Sequence, residues 1–280
     1  MKIVNHRLCH DDGTQYPFVK SPNVGGEVQH EYLVMHYTAG PSATSAVNWL
    51  TNSEARASAH LVIGRDGSIT QLVPFNRVAW HAGASFWEGR EGLNQYSIGI
   101  ELDNAGRLTR HGNRWRAWFG VDYDEAEVIE AVHKHETELC GWHTYTPEQL
   151  QVALVVANTL VSKYGLLDVV GHEDIAPHRK SDPGPAFPME NFRAPLVGRQ
   201  DDTAVRYETT AHLNIRTGPG TKHAPLPGSP LPVGTQLEIV SRQGFWAFVE
   251  VLDVVQDIAD LEGWVHTHYV RRITSGSPEE

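Results

Sequence analysis

Short apolar runs bounded by turn-forming residues alternate with amphipathic periods along the first two-thirds of the chain. Glu31–Thr38 (EYLVMHYT) is a near-continuous apolar run of strand length and reads as a buried strand. Ser42 follows as a helix cap, with a short helix through Trp49 and Leu50. Ala59–Pro74 reads as two strands joined by an Arg65-Asp66-Gly67 turn, and Tyr96–Asp103 as another strand. The clearest helix starts at Thr146, where Thr-Pro-Glu-Gln supplies a cap, a proline in the first turn and Gln149 to close a capping box. Leu150, Ala153, Leu154, Ala157, Leu160, Val161 and Tyr164 form its apolar stripe, and Gly165 ends it. Leu166–Gly171 returns as a strand. DEAEVIEAVHKHETEL, residues 124–139, reads as a further helix with Val128, Val132, His135 and Leu139 on one side. Strands interleaved with helices predict an α/β fold in which helices flank a mixed central sheet.

The character changes near residues 193–204 (RAPLVGRQDDTA), after the proline-rich DPGPAFPMENF. Residues 204–273 carry Gly, Pro and short β-rich runs such as Thr235–Val240 and Phe245–Leu252, without a helical period. These features predict two domains, 1–195 and 204–273, the second a small β-barrel. No internal repeat is visible.

Composition narrows the function. Of 280 residues, 40% are hydrophobic and 20% charged, so the chain can bury a core. The net charge of −11 argues against a nucleic-acid partner, whose phosphates require a basic surface. No run approaches the length of a membrane span, and MKIVNHRLCHDDGTQYPFVK lacks the apolar stretch of a secretory signal. The expectation is a protein made in the cytoplasm, for which any extracellular action needs release by lysis or a dedicated export machine. The two cysteines, Cys9 and Cys140, cannot form a disulfide framework and are expected to be free thiols. Sixteen histidines direct attention to metal or acid–base chemistry.

Three segments place polar residues where strands end: HYTAG at 36–40, IGIEL at 98–102 and GHEDIAPHRKSDPGPAF at 171–187. A catalytic zinc site needs three ligands of His, Asp, Glu or Cys type and one open position. His36, His172 and Asp182 can supply that set. Glu101 projects from an otherwise apolar strand, and Lys180 is a cation close to Asp182 in sequence. Metal, proton carrier and oxyanion partner are thus all available for a zinc hydrolase. Spacing alone does not select it, because sixteen histidines make chance triplets easy and His-x9-Asp is no established metal signature.

The strings VMHYTAG, SAHLVIGRDGSITQLVP, AWHAG, NQYSIGIELDNAG and above all GHEDIAPHRKSDPGPAF resemble the zinc-dependent N-acetylmuramoyl-L-alanine amidases of the AmpD-like and peptidoglycan-recognition-protein superfamily, over residues 25–190. The resemblance implies that His36, His172 and Asp182 bind zinc, that Glu101 is the catalytic acid–base and that Lys180 stands near the metal. All five positions match, unlike the catalytically dead recognition proteins, which lose ligands. The implied substrate is peptidoglycan or an anhydro-muropeptide, and the rival reading is a protein that binds it without cutting.

Other residues carry two readings. His60 and His81 fall in family-typical strings and suit either substrate contact or structural hydrogen bonding. Trp80 suits a sugar face or the core, and Arg179 a substrate carboxylate or a surface pair. Glu173 and His178 are expected to face solvent. The long stretch between Glu101 and the Thr146 helix is either a surface excursion packed by its tryptophans or a substrate lid, for which Arg107, Arg110, Arg114 and Arg116 would suit anionic groups. LNIRTGPG at 213–220 with the later Gly263-Trp264 resembles bacterial Src-homology-3-type modules, which implies wall attachment; the alternative is a structural appendage. Recycling of soluble anhydro-muropeptides and wall lysis by a phage-type endolysin both fit the chain.

Overall fold

The computed structural model describes residues 1–197 and 205–273. The described chain forms two compact units, residues 1–85 with 92–197 and residues 86–91 with 205–273. The expected boundary at 193–204 falls partly on a helix and otherwise outside the described residues.

The first unit is built on strands β1 (Tyr32–Tyr37), β2 (Leu61–Ile63), β3 (Ile69–Gln71) and β4 (Ser97–Leu102). An inserted region carries β5 (Arg107–His111), β6 (Arg114–Arg116), β7 (Asp122–Tyr123), β8 (Val128–Val132) and β9 (Leu139–His143), and β10 (Asp168–Gly171) returns to the main sheet. The central sheet runs β10-β1-β4-β2-β3 and is mixed: β1 is parallel to β10 and β4, β4 is parallel to β2, and β3 is antiparallel to β2.

Strand alternation gives this sheet two covered faces. Leu33, Met35, Ile98, Ile100, Leu61 and Ile63 share a core with Ala153, Val156, Ala157 and Leu160 of helix α2 (Pro147–Tyr164). Val62 belongs to a separate cluster with Ala46 and Leu50 of helix α1 (Ala43–Leu50). Both helices start where their caps predict. Ser42 accepts a hydrogen bond from Ser45 N, and Thr146 from Gln149 N. The capping box is only half formed, because the buried Gln149 amide instead donates to the carbonyls of Ile63 and Asp103. Gly165, at φ 64°, terminates α2.

The insertion is a five-stranded antiparallel sheet, β7-β6-β5-β9-β8. The helix expected over 124–139 does not form. Val128–Val132 pairs residue for residue with Leu139–His143, and only Glu125–Glu127 makes a helical turn, of 3-10 type. Val128, Ile129 and Val132 are β-branched and favour the extended backbone, and their spacing fits a strand as well as a helix face. Trp115 and Trp142 are buried, and a Cβ at Gly141 would lie 2.4 Å from the Trp115 ring, so this contact requires glycine.

The second unit holds β11 (Arg206–Thr209), β12 (Gln236–Gln243), β13 (Trp246–Val251), β14 (Glu262–His266) and β15 (Val270–Arg272), paired antiparallel in the order β14-β13-β12-β11-β15. Ile215, Leu237, Val249 and Val265 lie at its centre. The hairpin at 86–91 belongs to this unit, with Glu88 accepting hydrogen bonds from the Tyr207 hydroxyl and from Arg242. Among the described residues no helix is long and apolar enough to cross a membrane. Both cysteines are free.

Candidate functional site

The parallel strands deliver one row of side chains to the carboxyl end of the sheet, the edge where open α/β sheets bind ligands. His36 on β1 pairs in register with Glu101 on β4, and Met35 with Gly171, the residue before His172. Helix α3 (His172–Ile175) begins at that point, and the loop after it brings Asp182 back. His36 Nδ1 lies 2.9 Å from His172 Nδ1 and 2.9 Å from Asp182 Oδ2, and His172 Nδ1 lies 3.0 Å from the same oxygen. All three residues are buried.

The outer nitrogens fix which ring atoms carry hydrogen. His172 Nε2 is 3.0 Å from the Ala82 carbonyl, which only accepts, so a hydrogen on Nε2 leaves Nδ1 to present a lone pair to an ion. His36 Nε2 is 3.0 Å from His81 Nδ1, whose Nε2 faces Ser97 Oγ, and Ser97 gives its own hydrogen to the Leu93 carbonyl. That chain leaves His36 Nδ1 as a lone pair too. Two nitrogen lone pairs and a carboxylate about 3 Å apart repel unless a cation lies among them. Imidazoles held through their second nitrogen, with a carboxylate, are the donor set of a hydrolytic metal site. These three residues can therefore hold a metal ion. Burial above all lowers His36 to about 4, which keeps its ring neutral and able to offer a lone pair to a metal. Burial pushes the Asp182 carboxyl up, but the two imidazoles packed against it, His172 foremost, outweigh burial and hold it well below the usual carboxylate range.

The centre opens into a cleft of about 560 Å3 lined in part by Glu101, Lys180, Tyr37, Trp49, Trp80 and Trp118. Glu101 Oε2 is shielded from solvent and has no hydrogen-bond partner. Burial raises this carboxyl well above its ordinary range, the Asp182 charge adding to the effect and Lys180 opposing it. A half-buried acid with a shielded carboxyl oxygen, beside a cation and a metal-binding triad, can move protons and stabilise a developing oxyanion.

The structure divides the remaining candidates. His81 lines the cleft and supports His36. Trp80 lines it at 37% exposure. His60 does not reach it: the ring is fully buried, with Nδ1 accepting from Gly99 N and Nε2 on the Arg77 carbonyl, so structural hydrogen bonding replaces the substrate contact considered above. Arg179 is likewise absent from the lining, its guanidinium donating to the carbonyls of Ala82 and Ala84. Glu173 corrects the expectation of a solvent-facing side chain. It is buried, bonded to His133 Nε2 at 2.7 Å and Gly184 N at 3.1 Å, and paired with Lys134 at 2.8 Å. The four insertion arginines pair with Glu136, Glu125, Asp124 and Asp122 rather than standing ready for an anionic substrate. Sequence reasoning missed the cleft contacts of Trp49, Trp118 and Phe119, which carry no motif.

A family model described as N-acetylmuramoyl-L-alanine amidase matches residues 26–185. The 1,6-anhydro-N-acetylmuramyl-L-alanine amidase AmpD of Citrobacter freundii is 38% identical over 141 residues, 50% of this chain and 57% of that protein. The N-acetylmuramoyl-L-alanine amidase AmiD of Escherichia coli is 30% identical over 222 residues, covering 76% and 66%. A solved complex of that AmiD with anhydro-N-acetylmuramic acid-L-Ala-D-gamma-Glu-L-Lys superposes on 68% of this chain and 66% of its own with a TM-score of 0.46 at 30% identity. The chain thus spans between about half and two-thirds of the length of these relatives. With the model covering more than half of the 280 residues, the chain belongs to the N-acetylmuramoyl-L-alanine amidase family.

Proposed function

We propose that this protein is a zinc hydrolase that cleaves the amide between the lactyl group of N-acetylmuramic acid and L-alanine in peptidoglycan or its fragments. The observation that carries the reading is the His36-His172-Asp182 donor set, whose His172 and Asp182 line one cleft with Glu101, its Oε2 unpartnered, and with Lys180. The names of the AmpD and AmiD relatives supply the bond.

His36 Nδ1, His172 Nδ1 and Asp182 Oδ2 would hold the ion, which when bound supplies Lewis acidity for the scissile carbonyl and for water. Glu101 Oε2 takes the proton of the attacking water and returns it to the leaving amine of L-alanine, a task suited to a carboxyl that burial raises well above its ordinary range. The Lys180 ammonium offsets the charge that develops on the carbonyl oxygen. His81 and the Ala82 carbonyl keep the two imidazoles turned with Nδ1 inward. The second unit is read as a Src-homology-3-type module that attaches the enzyme to the wall.

The test is release of L-Ala-initiated peptide from muropeptide by the full chain, before and after chelation and after zinc is restored. Release that is lost and regained supports the reading; muropeptide binding without release would make the protein a recognition module. Running intact sacculi beside soluble anhydro-muropeptide separates wall lysis from recycling.

A further inference from the structure

The cleft lining combines charged and aromatic side chains. Its charged side chains are Glu101, Lys180 and Asp182, and Trp49, Trp118 and Phe119 line the same cleft. Trp118 is 79% exposed and Trp49 58%, which is unusual for side chains with so much apolar surface to bury. Trp118 is nevertheless held in place. It sits in the β6–β7 turn, which Ala117 closes by bonding Val121 O at 2.9 Å, and its indole N–H donates to the Ala39 carbonyl at 2.7 Å. Phe119 packs edge-on against it, 5.7 Å between centroids. The ring is fixed by one directional bond while its face stays open, so little freedom is lost when a ligand lies against it.

We propose that Trp118 and Trp49 form a carbohydrate subsite for glycan extending beyond the muramyl unit that bears the scissile amide. This rests on the amidase reading above. From the scissile bond a substrate extends either as peptide or as glycan. A stem peptide carries carboxylates and needs cations, but Lys180 is the one lysine or arginine in the lining and every insertion arginine is already paired with an acidic side chain. A pyranose ring presents a C–H face that matches an open indole, while its hydroxyls keep their water. The insertion is then neither packing alone nor a cationic lid: its turn brings an aromatic platform to the cleft.

Trp118→Ala and Trp49→Ala remove exposed side chains, so both variants are expected to fold as the parent does. Kinetics on sacculi and on a one-sugar anhydro-muropeptide are compared, and binding of peptide-free N-acetylglucosamine oligomers is followed on the metal-free full chain by tryptophan fluorescence. The expected result is a KM for sacculi raised on the order of tenfold, the scale of one stacking contact, with kcat and the one-sugar substrate unchanged and oligomer binding weakened alike. Unchanged sacculus kinetics and oligomer binding would overturn the subsite, as would an equal loss on the one-sugar substrate. Trp118-dependent oligomer binding by a protein that cleaves nothing would keep the subsite and remove the amidase reading.

Discussion

Glu101 and His36 are register partners on adjacent parallel strands, so their side chains rise from the same face of the sheet. Their neighbours Ile100 and Met35 face the opposite way, into the α2 core. Backbone hydrogen bonding therefore sets the separation of proton carrier and metal donor, and a slip of one residue would exchange each for an apolar side chain. The geometry is as rigid as the core beneath it.

His81 is a positioning residue for His36, because it accepts the Nε2 hydrogen and so directs the Nδ1 lone pair inward. His81→Ala should weaken zinc binding by about 10- to 100-fold, the usual cost of losing such a support, as measured by competition with a chromophoric chelator. The visible spectrum of the cobalt-substituted protein should change with it. Affinity and spectrum equal to the parent's would show that His36 needs no orienting partner.

Gly99 makes room for that ring: a Cβ there would lie 2.5 Å from His81 Cγ. Gly99→Ala should reproduce the metal-binding loss of His81→Ala, and combining the two substitutions should cost less than the sum of their separate effects. Full additivity in a double-mutant cycle would contradict the coupling.

The metal-free protein should lose stability with rising pH through Glu101. Folding raises this carboxyl well above its ordinary 4.5, so the folded state keeps a proton that the unfolded chain has released. The contribution is complete below that ordinary value and is lost as pH rises through the folded one. Glu101→Gln removes the titration, and its melting temperature should fall less steeply above pH 4.5 than the parent's. Parallel curves would contradict the assignment.

Glu173 ties the insertion to the metal-binding loop through His133, Lys134 and Gly184 N. Glu173→Ala leaves the buried His133 ring and Gly184 N without this acceptor, while Lys134 keeps Asp174, so chemical denaturation should show a loss of about 2–4 kcal/mol. A change within about 0.5 kcal/mol would place the residue among ordinary surface positions.

What was legible in the sequence follows the range of the forces involved. Caps at Ser42 and Thr146, the β2–β3 hairpin and the period of α2 are local and were readable from spacing. The segment 124–139 was misread because Val128, Val132, His135 and Leu139 fit a helix face and also two short strands around a turn. Glu173 was misread because its partner His133 lies 40 residues earlier and no local pattern announces the pair. The residues brought together at the sheet edge stood out through the strings GHEDIAPHRKSDPGPAF and IGIEL. The aromatic wall had no such string, since isolated tryptophans in an insertion carry no period and their exposure is decided only by the fold.

The most direct measurement of the central claim compares zinc content and peptide release in the parent and in Glu101→Gln. The account predicts one equivalent of zinc in both by elemental analysis, with release of L-Ala-initiated peptide reduced by at least about a hundredfold in the variant. Full release by Glu101→Gln, or release by a parent shown to contain no metal, would contradict it.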